Sequence, residues 1–364
     1  WIDNVDGIQY QYDAAGRLTK IIDYDAPELT YAYDDVGNVT SMTDYHGNTT
    51  SYTYTALNQL DTLTAPGSRV WDWTYNDSGQ PTQYTHPNGM ITKYAYDTLA
   101  RLQTIDHMYD ATNVAQSFDY DLNLDGNIAR VTHEDDSYWD YTYDGRGRLT
   151  FAERRDASNT FEYSEAYTYD NGDNMTQKVV TEAGQSPVTI TYTVNNANEL
   201  TAMTGGLTFT YDAWGRQTQK TDGTYTAQYD YHYGSKLTDV TSSFPTEGNV
   251  GYTYGGDQKR RSRDDGTNFT AYRWDIWWNR ISDDTDGGVA ISRVSTLQPY
   301  GAILAEIPTT GNPVYYTSDV FYTVGLYDQD KSLVGYSELT PGYKGDRHHC
   351  RENFIEFLQT IVKS

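Results

Sequence analysis

Much of what holds small or membrane-bound proteins together is missing from this sequence. A single cysteine, Cys350, excludes an intrachain disulfide and any cysteine-cluster metal site. No apolar run reaches the roughly 20 residues that a membrane-spanning helix needs. No charged-then-apolar leader opens the chain either, and the start at Trp1, WIDNVDG, reads as a processing boundary. Cations are scarce: 26 Lys and Arg against 51 Asp and Glu leave a formal charge of -25. That balance argues against binding to nucleic acid or insertion at an anionic membrane, which need basic patches, and favours solubility, cations or basic partners. Aliphatic residues are few as well, with hydrophobic residues of all kinds at 37 %. Alone, low hydrophobicity with high charge predicts disorder. No His-Glu-x-x-His pair, Gly-x-Ser-x-Gly elbow, P-loop or dinucleotide fingerprint is present, so no nucleophile is matched to a base.

What the chain has instead is tyrosine, 36 of them, with 30 glycines. A tyrosine ring buries a large apolar area while its hydroxyl reaches a polar partner, and Tyr and Thr are good strand formers. The tyrosines are periodic. Tyr12, Tyr33, Tyr54, Tyr75 and Tyr96 follow one another at 21-residue steps. The series continues less strictly through Tyr120, Tyr143, Tyr169, Val194, Tyr211, Tyr233, Tyr254 and Trp274. Each unit has one grammar, as in YDAAGRLTKIID from Tyr12, YDDVGNVTSMTD from Tyr33 and YDGRGRLTFAER from Tyr143. The tyrosine closes a strand, and Asp begins a turn by accepting backbone N–H bonds. A glycine such as Gly16 or Gly147 supplies positive φ. Alternating runs such as Thr30-Tyr31-Ala32-Tyr33 read as strand. A second turn joins hairpin to hairpin near Thr43–Thr49, Thr85–Met90 and Thr132–Ser137. The expected fold is all-β: a tandem hairpin array of about two dozen strands whose neighbours bury one another.

With these repeats the chain resembles the bacterial YD-repeat, or rearrangement-hot-spot (Rhs), proteins from about residue 8 to 343. Tyr254 to Arg261 and Trp274 to Ile281 resemble the start of the family's core region, and Tyr315-Tyr316-Thr317-Ser318-Asp319 with Leu326 to Asp330 its final hairpins. The resemblance implies strands winding in a spiral, barrel-like shell that in larger relatives encloses a C-terminal toxin. It divides the chain into a hairpin array over 1–250, a core-like end of the same shell over 251–345 and a tail over 346–364. The tail carries Phe354, Ile355, Phe357, Leu358, Ile361 and Val362 at the spacing of a short amphipathic helix. Asp319-Val320-Phe321-Tyr322 stands where the family shows Asp-His-Leu-Gly, and no Asp-Pro cleavage motif follows. The expectation is a shell without its cargo, secreted or at the cell surface of a bacterium.

Four sets of residues are candidate sites, each with a plainer structural alternative. Asp121, Asn123 and Asp125, with Gly126, match the opening of a calcium loop, although Thr132 replaces the closing Glu. The plainer reading is a YD turn lengthened by two residues. His46, His86 and His133, with His107 between, recur near the second turn and could converge on zinc to activate water. The plainer reading is a position that accepts any polar turn residue. Trp274, Trp277 and Trp278 could stack on sugar rings but also suit strand packing. Lys259-Arg260-Arg261-Ser262-Arg263 is a basic cluster best matched to neighbouring aspartates. These yield a leading reading and two rivals. The leading reading is a non-catalytic scaffold that contacts carbohydrate, an enclosed polypeptide or a basic protein. The rivals are a metal-dependent hydrolase within the shell and a glycan-active protein using paired carboxylates.

Overall fold

The computed structural model describes residues 3–5, 8–22, 28–232, 234–275, 277–285, 290–296, 303–318 and 323–335. Among these residues every regular element is a β-strand, 32 in all from Asp3–Val5 to Leu333–Gly335, so the all-β, tandem-hairpin expectation holds. The tail helix, His348-His349 and the Asp319 to Tyr322 segment lie outside the described residues. Strands adjacent in sequence pair antiparallel throughout residues 3–96, 114–242 and 250–335. The described residues gather into two compact units, one within 3–93, 108–113 and 250–335, the other within 94–107 and 114–249.

The turn chemistry predicted from the YD motif is present in detail. In the first hairpin the pairing shifts by one residue between Gln11 and Tyr12, so that Tyr12 faces Leu18. Asp13 N–H donates to the Arg17 carbonyl (2.9 Å), and Gly16 N–H donates to the Asp13 carbonyl (3.0 Å). Asp13 Oδ1 accepts from the N–H groups of Ala15 and Arg17, both at 2.9 Å, and Oδ2 takes Arg17 Nε at 2.7 Å. Gly16 has φ of +79°, the left-handed conformation that closes such a turn. The same shift recurs at Tyr33 with Val39, Tyr54 with Leu60, Tyr75 with Pro81, Tyr143 with Leu149 and Tyr169 with Met175.

Two positions of the series are corrected by this geometry. Tyr120 is not the end of its hairpin; the shift falls between Asp121 and Leu122, and Leu122 faces Ile128. The turn is Asn123 to Gly126, of ordinary length and not lengthened. The reason is steric. The left-handed residue comes three after the capping residue, so a cap at Asp121 would put Leu124 there, at roughly 1–2 kcal/mol, whereas Asn123 puts Gly126 there (φ +85°). Likewise the shift lies between Asp230 and Tyr231, not at position 233, and Ser235 takes the left-handed place.

The tyrosines form a ladder. At seven YD positions the hydroxyl donates to a carbonyl in the preceding hairpin: Tyr33 to Leu18, Tyr54 to Val39, Tyr75 to Leu60, Tyr143 to Ile128, Tyr169 to Leu149, Tyr211 to Leu200 and Tyr231 to Gln217, at 2.6–2.9 Å. Trp274 replaces the hydroxyl with its Nε1–H, 2.6 Å from the Arg260 carbonyl. Two residues earlier on the same face stands a second aromatic, buried at Tyr31, Tyr52, Tyr167 and Tyr272.

Candidate functional site

The residues of the motif serve one another. Arg17, already paired to Asp13, also donates to the Asp34 carbonyl (2.7 Å) and lies 4.9 Å from the Tyr33 ring of the next hairpin. Arg148 repeats this with Asp144, the Asp170 carbonyl and Tyr169, and Arg216 with Asp212 and Tyr231. Hydrogen bonds from the turn amides and from Arg17 hold the Asp13 carboxyl below the usual range. Asp97 and Asp144 are held down in the same way. Burial pushes the ladder tyrosines up, Tyr54 to about 12. These shifts reinforce the states both groups already hold at pH 7, ionised for Asp and neutral for Tyr. At the series members Tyr54, Tyr75 and Val194 the place of Asp is taken by Thr55, Asn76 and Asn195, which cap their turns with side-chain oxygens in the same manner.

The candidate calcium loop is one of these turns. Asn123 Oδ1 accepts from Asp125 N–H and Asn127 N–H, both at 3.0 Å, while Asp121 belongs to the strand Val114–Leu122. Asp121 thus stands at the strand end, and Asn123 and Asp125 stand within the turn itself.

The histidines also part company. His86 and His133 each open a connecting turn, donating N–H to the carbonyls of Met90 and Ser137. His46 sits two residues further into its turn, where Asp44 occupies the opening position, and His107 precedes its turn on the strand Leu102–Met108. His86 is buried, with Nε2 3.0 Å from Thr92 Oγ1 and its ring 4.7 Å from Tyr84. His107 is buried beside Phe118 at 6.2 Å, and the same Phe118 ring meets His133 at 5.4 Å. Burial lowers the His133 imidazole from its ordinary value, against the opposing pull of Glu134, so it stays neutral at pH 7. His46 Nε2 lies 2.8 Å from Asp284 Oδ1. Among the described residues no group of three or more His, Cys, Asp or Glu is arranged to hold a metal ion. In these places His86, His107 and His133 pack against aromatic rings, and His46 pairs with Asp284.

The tryptophans and the basic cluster resolve similarly. Trp274 is a rung of the ladder, and Trp277 packs edge-on against Tyr31 at 5.8 Å. Trp278 alone of the three leaves its ring exposed, in the left-handed place of its turn (φ +68°), where a bulky side chain is strained. Lys259 is buried with Nζ 2.6 Å from the Asp275 carbonyl and 5.4 Å from the Trp278 ring; Arg261 pairs with Asp257 and Arg263 with Asp265. The basic cluster is neutralised by neighbouring aspartates.

The first unit holds a polar seam that no sequence period foretells. Ser292 Oγ donates to Asp44 Oδ2 (2.8 Å) and accepts from Asn48 Nδ2 (3.1 Å), beside the His46–Asp284 pair. Buried Arg293 holds Asp283 and Glu306, each at 2.8 Å. Arg293 gives Asp283 and Glu306 their counter-charge, which is the condition for burying such groups, while buried Asp44 is satisfied by the neutral donors Ser292 and Asn48. The arrangement joins strands.

A family model described as RHS Repeat matches residues 33–70, two of the hairpins whose geometry is given above. Residues 33–70 carry the RHS repeat. No curated protein matches this RHS-repeat chain significantly. Solved structures do match in fold. The crystal structure of TcdB2-TccC3-Cdc42 superposes with a TM-score of 0.72 at 19% identity over 91% of the chain. TcdB2-TccC3 without its hypervariable C-terminal region gives 0.72 at 18% over 92%. The Photorhabdus luminescens Tc holotoxin pore gives 0.71 at 17% over 91%. The RHS-repeat chain spans 20% of the length of each of these chains.

Proposed function

We propose that the chain is a non-catalytic wall segment of a secreted, toxin-associated RHS shell whose cargo is a polypeptide. One observation carries this reading: the polar groups of the repeat are consumed in holding hairpin to hairpin. Aspartate is spent on turn amides, arginine on aspartate and on the next ring, and the tyrosine hydroxyl on the preceding carbonyl. Such a repeat builds an extended wall and leaves no reactive group to spare. The fold neighbours support the setting, since they are a Tc holotoxin pore and TcdB2-TccC3 structures, one of them solved without a hypervariable C-terminal region. The charge of -25 favours a cationic polypeptide as cargo. Neither the hydrolase nor the glycan reading gains an observation of its own.

The test is co-expression with an unfolded, Lys- and Arg-rich polypeptide that contains trypsin sites. Co-elution with the chain and slowed digestion of the guest are the expected results. Digestion at the rate of the free polypeptide would overturn the reading. So would turnover of ester, phosphate or glycoside substrates that is lost in His86→Ala.

A further inference from the structure

One feature of the YD turns is not used by the ladder. Three positions after the YD tyrosine, Val36, Leu57, Leu99 and Trp214 are 71%, 77%, 72% and 82% exposed, and Leu124, one place earlier in its own turn, is fully exposed. Among the described residues these are the five most exposed large apolar side chains. Each of the four is fixed outward on a rigid turn, because its N–H is held by the capping residue: Asp34, Thr55, Asp97 and Asp212. The turn does not require an apolar residue there, since Ser78 fills the same place with the same bond, to Asn76. Apolar tips left in water oppose solubility, and the Val36 and Leu57 tips stand side by side on bonded turns.

The first unit shows what such a tip does when covered. Trp277 occupies the same place, its N–H held by Asp275, and packs on Tyr31 of an early hairpin. That contact belongs to a series of near-constant separation. Ser292 with Asp44 spans 248 residues, Asn48 with Ser292 244, Asn88 with the Asp328 carbonyl 240, and Lys331 with the Gly89 carbonyl 242; Lys331 with the Tyr109 carbonyl spans 222. A later run of hairpins therefore lies along an earlier run in the same direction. The later YD turns at Trp277 and at Asp328 to Lys331 meet the earlier run, and the connecting turns of that run are covered at Asp44, Tyr45, His86, Asn88 and Met90. The second unit has connecting turns of the same kind that are exposed, at residues 134–136, 157–160, 183–185, 204–206 and 223–225. The chain thus presents uncovered versions of both edges of an interface that it forms once within itself.

We propose that the apolar YD-turn tips, above all the adjacent pair Val36 and Leu57, seat on the exposed connecting turns of a second copy of this chain. Val36 and Leu57 are the core of the donor edge: their hairpins are adjacent, and Asn38 Nδ2 bonds Asn58 Oδ1 across the two turns at 3.2 Å. The receiving edge is the second unit's row of turns, Glu134 to Asp136 among them. Because the two edges differ, the contact is head-to-tail and is not limited to dimers.

Sedimentation of the purified chain across micromolar to hundreds of micromolar concentration tests this. The expected result is concentration-dependent association. It should weaken by about tenfold or more when Val36, Leu57, Leu99, Leu124 and Trp214 are all replaced by Ser, the residue that position 78 already tolerates. Glu134→Lys with Asp135→Lys in the receiving turn should change the association as well. Unaltered circular dichroism and melting temperature establish that the variants fold, and single Leu57→Ser serves if the fivefold variant does not. A chain that stays monomeric throughout, or an association indifferent to the tips, would overturn the proposal.

Discussion

Replacing Tyr54 by Phe separates the hydroxyl ladder from everything else the ring contributes. The ring still packs, but Val39 loses the hydroxyl that lies 2.9 Å from its carbonyl. The rung is half-buried, and burial holds the hydroxyl protonated, its titration pushed up to about 12, so the bond is intact across the neutral range. A net intramolecular hydrogen bond contributes about 0.5–1.5 kcal/mol, and a buried acceptor left without its donor moves the loss toward the upper end. We therefore expect Tyr54→Phe to cost about 1 kcal/mol, which lowers the melting temperature by about 2–4 °C or less in a chain of this size. Tyr12→Phe is the control. Tyr12 is the first of the series, exposed, and among the described residues its hydroxyl donates to no carbonyl; its loss should stay within about 0.5 kcal/mol, as surface changes do. Tryptophan fluorescence against urea reads the global loss. Native-state hydrogen exchange places it, because in a repeat array the effect concentrates in the altered hairpin and its neighbours. Equal losses for Tyr54→Phe and Tyr12→Phe would refute the ladder as a source of stability.

Other outcomes follow from the same geometry. Because burial raises the titration of Tyr33, Tyr54, Tyr75 and Tyr143 in the folded state, their contribution is complete below the unfolded value of about 10 and is lost as pH rises through the folded values, about 12 at Tyr54. Absorbance at 295 nm should rise together with loss of the β circular-dichroism signal, and tyrosines that ionise well before unfolding would contradict this. The capping carboxyls Asp13, Asp97 and Asp144 are lowered, so their contribution is present above the ordinary carboxylate value and is lost as pH falls below it; acid melts should show stability dropping under about pH 4. Ala100→Gly should stabilise by about 0.5–1 kcal/mol, since Ala100 sits at φ +63° where glycine is unstrained; a lower melting temperature in that variant would count against it. His86→Ala should cost about 2 kcal/mol or more through lost packing and the lost Thr92 bond. An unchanged melt accompanied by loss of a stoichiometric metal would show that the imidazole is a ligand.

The sequence by itself determined everything that is local. A capping oxygen and the amides it satisfies lie two and four residues apart, and the left-handed residue is three from the cap, so Asp13-Ala14-Ala15-Gly16-Arg17 spells its own turn. Period-two Tyr and Thr then specify the strands on either side. Where two turns competed, at Tyr120-Asp121 and Leu122-Asn123, the dipeptide misled and the spacing to Gly126 decided, because backbone conformation constrains a turn more tightly than the residue pair that announces it. Tertiary structure alone decided which residues meet across the first unit. Ser292 with Asp44, Asp284 with His46 and Trp277 with Tyr31 are joined by no repeat length, since each unit between them varies and the small differences accumulate. It also decided which histidines are buried, since residues in similar turn positions are covered in one part of the chain and open in another. Burial depends on what lies opposite, and a repeat describes only its own neighbours.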